Sequence, residues 1–186
     1  MNSKFDREEM LGSISVNVQD GNMIKHMLAT EAIMRALARK LGEDEEEWGI
    51  TGLIHDIDVE LVEGDMSSHS KLGADIAQEL GASETMIHAI LCHNEAHGIP
   101  RETKLDKALF CADALSRLIT ATALDRSDKL SGLTTKSGMK GFHEKKFATE
   151  FNREQVTQCQ EIGLELEEFI SLGIQATKGI ASELDL

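Results

Sequence analysis

Apolar residues return at helical spacing along most of the chain. From Met23 to Leu41 they recur every three or four positions with polar residues between them. That is the pattern of a helix that buries one face. Asn22 stands just before this run as a cap, and Gly42 stands just after it, where a left-handed residue ends a helix. The acidic run Glu43 to Glu47 opens a second helix, where negative charge suits the N-terminal dipole. It carries Trp48, Ile50, Leu53 and Ile54 toward His55 and Asp56. A turn-rich stretch surrounds Gly64. Ser67 or Ser68 caps a third predicted helix that runs to Leu80, with Gly81 after it. Ser83 caps a fourth, through Ile87, Ile90 and Leu91 to His93. Glu95 to Pro100 reads as a loop. Leu105 to Leu124 reads as a fifth helix, strongly apolar.

The two ends of the chain are less regular. Residues 1–20 show no clear period and are expected to form a loose lead-in. The stretch from Arg126 to Lys146 has three glycines and little periodicity, which predicts a long loop with at most one helical turn. Arg153 to about Ile170 predicts a last amphipathic helix, with Val156, Ile162, Leu166 and Phe169 on or near one stripe. No repeat or linker interrupts the chain. The expectation is therefore one all-α domain: lead-in 1–20, core 21–125, and a basic loop with a C-terminal helix over 126–186.

Composition supports that reading. The 186 residues are 41% hydrophobic, drawn mainly from Leu, Ile, Ala and Met, with no Tyr and one Pro. Strands would favour aromatic and β-branched side chains. Cys92, Cys111 and Cys159 are odd in number and lack CxxC spacing, as expected of buried free thiols in a reducing compartment. The first residues carry charges of both signs without an apolar run, and no segment is apolar over the ~20 residues that span a bilayer. A cytoplasmic protein without a membrane partner is expected. The net charge of -14 disfavours a nucleic-acid polymer as partner. It leaves room for a small phosphorylated ligand, because bound divalent cations reverse the local field.

Six of the seven histidines lie between His26 and His97. His55 and Asp56 are adjacent, at the end of an apolar segment, and Asp113 lies inside the apolar run Phe110 to Leu115. A buried carboxylate is costly unless it is paired or bound to a cation. Imidazole and carboxylate together suit Zn, Mn, Fe or Ni, and one Asp can bridge two ions.

In order and spacing, His26, then His55-Asp56, then Asp113 resembles the H…HD…D signature of the HD superfamily of metal phosphohydrolases. Leu53-Ile54-His55-Asp56-Ile57 resembles its core motif. His69-Ser70-Lys71-Leu72-Gly73-Ala74 resembles the HxxxGA segment of the HDIG branch, which includes dinucleoside tetraphosphate hydrolases. Ala89-Ile90-Leu91-Cys92-His93 with Ala112-Asp113 is similar to its AIxxH…AD segment. The resemblance runs from His26 to Leu124, about half of the chain. It implies a compact HD-domain helical bundle with an added C-terminal helix. It implies that His26, His55, Asp56 and Asp113 hold one divalent ion and that Asp56 bridges to a second held by His69 and His93. Fe, Mn, Ni, Co, Zn and Mg are not distinguished. A cation-activated water would attack a phosphate ester or anhydride of a nucleotide or other small phosphorylated metabolite.

One departure bears on the substrate. Where the family often has Gly or Ala and then Lys after its core motif, this chain has Asp58 and Val59. Asp58 is a candidate catalytic carboxylate beside Asp56, or a partner of a ligand histidine. Lys71 and Arg117 are the candidates to replace the lysine as phosphate contacts, with His88 and His97 as further substrate contacts. The basic residues Arg126, Lys129, Lys136, Lys140, Lys145 and Lys146 could form a phosphate-binding lid or a solvated surface. Two other functions fit the same ligand set: a di-iron oxygenase, and a regulatory module that binds without turnover. An apolar face on the last helix, if exposed, would suit a homodimer.

Overall fold

The computed structural model describes residues 6–147 and 149–186. Among the described residues there are ten α-helices and no strand. They are α1 (Arg7–Asn17), α2 (Gly21–Leu41), α3 (Glu45–Ile54), α4 (Lys71–Glu79), α5 (Glu84–His93), α6 (Lys104–Leu124), α7 (Thr135–His143), α8 (Arg153–Thr157), α9 (Leu166–Lys178) and α10 (Ala181–Leu184). The fold is all-α, as the periodicity requires. No described helix is long and apolar enough to cross a membrane.

The two 21-residue helices α2 and α6 form the spine. α3 and α9 pack against α2, and α5 packs against α6. Local chemistry sets their ends. Asp44 caps α3 through the Glu47 N–H, and Ser83 caps α5 through the Met86 N–H. Thr103 and Asp106 form a reciprocal capping box at the start of α6. Gly42 ends α2 at φ +73°, as its place in the sequence predicts. Two expected caps move. α2 is capped by Asp20, whose carboxylate accepts the Asn22 N–H, so the helix starts before Asn22. The Ser67 and Ser68 hydroxyls donate to Asp65, and α4 starts only after Ser70.

Three segments depart from the sequence reading. The expected loose lead-in contains α1. Asp6 caps it, and Met10, Ile14 and Val18, spaced four apart, are buried. Arg7 clamps α1 to α2 by two contacts to the buried Glu31, at 2.7 and 2.8 Å, and Arg35 meets the same carboxylate. The expected loop after α6 contains α7, opened by a capping box between Thr134 and Ser137. Its glycines serve packing: an added Cβ at Gly138 would lie 2.8 Å from Ile170 and Ile174 on α9. The expected last helix is broken. α8 gives way to a 3-10 turn, and Gly163 at φ +82° turns the chain into α9.

If α1 is an integral layer, Ile14→Ala should cost about 2–5 kcal/mol, read as a lower midpoint in chemical denaturation. An unchanged midpoint would mean that α1 contributes no packing.

Candidate metal centre

α3 ends with His55 as its C-cap residue, and the chain continues in tight turns: the Ile57 N–H donates to Ile54 O and the Val59 N–H to Asp56 O, each at 3.1 Å. Both adjacent side chains therefore turn inward. His55 is fully buried and Asp56 is 3% exposed. α3 lies this close to α2 because residue 52 is glycine. A Cβ there would stand 3.0 Å from Thr30 O and 2.9 Å from Met34 Cγ. His26, on α2, thus meets His55, with 3.3 Å between their Nε2 atoms.

The remaining groups come from three other segments. Asp113 projects from α6, and its Oδ1 lies 3.0 Å from His26 Nε2 and 3.8 Å from His55 Nε2. Asp56 Oδ2 lies 3.5 Å from His26 Nε2 and 3.3 Å from His55 Nε2. Its other oxygen, Oδ1, faces His69 Nε2 at 3.4 Å and His93 Nε2 at 3.3 Å. Ligand-capable atoms therefore gather in two sets, His26-His55-Asp56-Asp113 and Asp56-His69-His93, which share Asp56.

The far nitrogen of each imidazole is anchored. His55 Nδ1 donates to Gly52 O at 2.8 Å, and His93 Nδ1 to Ile90 O at 2.6 Å. His69 Nδ1 donates to Asp58 Oδ1 at 2.9 Å. The Ser116 hydroxyl donates to Asp113 O, so it accepts from His26 Nδ1 at 2.8 Å. Carbonyl and carboxylate oxygens only accept, so Nδ1 carries a proton and Nε2, whose lone pair either a cation or a second proton can take, faces the centre. That is the tautomer and orientation that suit a divalent cation.

Charge is tightly coupled here. Burial alone would push His55 down, but Asp56 and Asp113 outweigh it and raise it to about 10. His69 is raised as well: burial opposes its charge, while the hydrogen bond to Asp58 and the Asp56 carboxylate favour it. Burial works against ionising Asp56 and Asp113, yet neighbouring groups hold both well below the usual carboxylate range. For Asp56 these are chiefly the charge on His55 and the hydrogen bond from His26, and for Asp113 chiefly the charge on Arg117 and the hydrogen bond from His26.

Asp58 is fully buried behind this centre. Besides His69, its carboxylate accepts the Ser70 and Gly73 N–H groups, both at 2.8 Å. It therefore positions His69 and the start of α4. With both oxygens engaged away from the centre, it is not placed as the catalytic carboxylate; of the two roles the sequence left open, the geometry matches the partner of a ligand histidine. It also steadies Ser70, whose φ of +70° is rare for a residue with a side chain. Gly73 permits the approach, since a Cβ there would lie 3.1 Å from Asp58 Cγ.

The centre opens on a cleft of about 460 Å3. Arg117 lines it, as does Glu95, with Met23, Val59, Met66 and Phe110 supplying apolar wall. Arg117 donates from Nε to Asp113 at 3.1 Å and from Nη2 to Asp56 at 3.3 Å. The other expected substrate contacts lie elsewhere. Lys71 is exposed and donates to Ser67 O. His97 Nε2 donates to His69 O at 2.6 Å and so props the main chain. His88 Nδ1 meets Asp106 at 3.0 Å, outside the cleft. None of the basic residues of 126–146 lines the cleft. Arg126 and Lys146 pair with Asp128 and Asp125, and Lys129 reaches Asp185 O. The three cysteines are buried and free, as expected.

Sequence reasoning missed three supporting residues. Ser116 stands three positions after Asp113 and so shares its helix face, a signal that was present. Asn94 donates to Met66 O and His69 O at 2.8 and 3.1 Å. Gln155, from α8, donates to Phe110 O at 2.6 Å and Asp113 Oδ2 at 3.3 Å. Only tertiary packing brings it there.

A cation and a proton compete for each Nε2 lone pair. His55, raised from 6.5 to about 10, adds stability that is complete below pH 6.5 and lost as pH rises through 10. Asp56 and Asp113 add stability that is present above pH 3.8 and lost as pH falls below it. The rise in Tm produced by added Mn or Zn should therefore grow as pH climbs from 6.5 toward 10. An increment independent of pH, measured by thermal denaturation of chelator-treated protein, would count against ligation through Nε2.

Comparison with known proteins bears on this geometry. Ribonuclease Y of Oleidesulfovibrio alaskensis is 29% identical over 140 residues, covering 72% of this chain and 26% of that protein. Ribonuclease Y of Syntrophobacter fumaroxidans is 33% identical over 95 residues, covering 51% and 18%. Ribonuclease Y of Pseudothermotoga lettingae is 32% identical over 110 residues, covering 58% and 21%. The chain thus spans about a quarter or less of the length of these curated relatives. No solved structure matches it. The HD domain family model matches residues 23–118, just over half of the 186, and that stretch holds all six of the converging His and Asp side chains. The chain belongs to the HD domain family.

Proposed function

We propose that the chain is a phosphohydrolase that binds two divalent cations and cleaves a phosphate ester or anhydride of a nucleotide or other small phosphorylated metabolite. The observation that carries this reading is the division of Asp56: one oxygen faces His26 and His55, the other His69 and His93. His26, His55, Asp56 and Asp113 would hold one ion, and Asp56, His69 and His93 the other. Bound there, such cations supply polarisation of a phosphoryl oxygen and a water acidic enough to attack near neutral pH.

The chain's own residues do the positioning. Asp58, Ser116 and the carbonyls of Gly52 and Ile90 fix the four imidazoles before any substrate arrives. Arg117 spans both carboxylates, and its remaining N–H groups can meet a phosphoryl oxygen, the role the sequence lacks a lysine for at Val59. The cleft volume lies in the range of small-ligand sites. The net charge of -14 argues against a long polyanion. A short RNA is the second reading, which the name of the ribonuclease Y relatives favours.

The test is metal content together with a product screen over nucleotides, sugar phosphates and short RNA with Mn, Co, Ni, Fe and Mg. His55→Ala and Asp56→Ala should abolish both turnover and most bound metal. Turnover only on RNA would shift the substrate to the second reading. Oxygen uptake without phosphate release would make the centre an oxygenase, and binding without product under every metal would leave a regulatory module. Arg117→Ala should lose about 1.5–3 kcal/mol of phosphate interaction, on the order of 10- to 100-fold in kcat/KM. Unchanged kcat/KM would remove Arg117 from substrate contact.

A further inference from the structure

A second cluster of ligand-capable side chains lies outside the cleft. His88 and Cys92 stand one helical turn apart on α5, and Asp106 faces them from the start of α6. Side chains four apart on a helix share a face, so the imidazole and the thiol turn the same way. One ligand-capable atom from each of the three lies within 4.8 Å of the others. Cys92 adjoins His93 in sequence, but neighbours on a helix point about 100° apart. None of the three residues lines the cleft.

Asp106 is the unexplained member. It is fully buried. Its Oδ2 accepts from the Glu102 N–H at 2.9 Å, the Thr103 N–H at 2.8 Å and His88 Nδ1 at 3.0 Å. Its Oδ1 is equally buried and has no hydrogen-bond partner among the described residues. The capping role of Asp106 accounts for Oδ2 and leaves Oδ1 without a function. An unpartnered buried carboxylate oxygen is costly and rare in a folded protein.

We propose that His88, Cys92 and Asp106 form a separate cation site of the zinc class, with imidazole, thiolate and carboxylate as protein ligands and the remaining position open to solvent at His88. A borderline-soft cation takes all three donor types, whereas Mg and Ca do not favour sulfur. His88 is 34% exposed at its side chain, which gives the ion and the departing thiol proton a path to solvent. Thiolate and carboxylate together balance a divalent charge. Burial and the Asp106 carboxylate push the free Cys92 thiol up to about 12, so a thiolate there would form only as a cation displaces its proton. Arg101 stacks 3.6 Å over the Phe110 ring and reaches the Cys92 carbonyl, not its sulfur. Ligation would staple α5, which carries His93, to α6, which carries Asp113 and Arg117.

The test is cobalt substitution of the full chain. The HD centre contains no sulfur, so thiolate-to-cobalt charge-transfer absorption in the near ultraviolet reports this site. Cys92→Ser should remove that band and about one cobalt per chain. His88→Ala, at a partly exposed position, should weaken the same cobalt binding by at least an order of magnitude. Absence of the band in the wild-type protein, or its persistence in Cys92→Ser, would overturn the site and leave Cys92 as a buried thiol bonded to Ala89 O. Should Cys92→Ser fail to fold by circular dichroism, an unchanged band and cobalt content in His88→Ala would overturn it as well.

Discussion

The Asp56 carboxylate is a charge in the interior of a helical protein, and such a charge persists only among groups that favour it. Here those groups are four imidazoles and one guanidinium, brought from α2, α3, α5, α6 and the turn before α4. The constraint propagates outward. Gly52 lets α3 close on α2 so that His55 reaches His26. Ser116 on α6 holds His26 on α2. Asp58 holds His69 and, through the Ser70 and Gly73 amides, the first turn of α4. Removing any one anchor would free a ring to rotate its lone pair away from the centre. The helices are thus arranged around a set of fixed Nε2 positions as well as around a hydrophobic core.

The sequence made the centre legible because its ligands are types that rarely share apolar surroundings without a cation. His55-Asp56 at the end of an apolar run, and Asp113 inside one, are locally costly choices. The cap of α5 was equally plain in Ser83, and the acidic run Glu43 to Glu47 marked the start of α3. What escaped was structure whose signal is diluted or inverted. α1 buries only two apolar side chains, Met10 and Ile14, and its intervening Glu and Ser residues mask the period. α7 looks like a loop because Gly138 and Gly141 read as breakers, yet they are there to let α9 and α6 approach. The last helix reads as continuous because Val156, Ile162, Leu166 and Phe169 fall on or near one helical stripe, although Gly163 turns the chain between the second and third.

The supporting residues divide in the same way. Ser116 follows from helical geometry once Asp113 is known. Gln155 does not, since it reaches Asp113 across 42 positions of sequence through the packing of α8 on α6. The lysines of 126–146 illustrate the opposite error. A local excess of positive charge carries no information about where it points, and in an acidic protein nearby carboxylates such as Asp125, Asp128 and Glu144 absorb much of it.

Arg117 ties electrostatics to reactivity. It lies four residues after Asp113 on α6, so one guanidinium reaches both acidic members of the centre and approaches His26 Nε2 at 3.1 Å. A lysine would offer a point charge to one carboxylate at a time, whereas the planar fork spans two. The same contact sets a competition under the proposed function. A cation held by Asp56 and Asp113 would repel the guanidinium that pairs with them and leave Arg117 freer to turn to an anion. A phosphoryl group in the cleft would be such an anion, so that cation and substrate would each lower the other's cost. This coupling would need no moving lid, only one side chain placed between two buried acids and an open cleft.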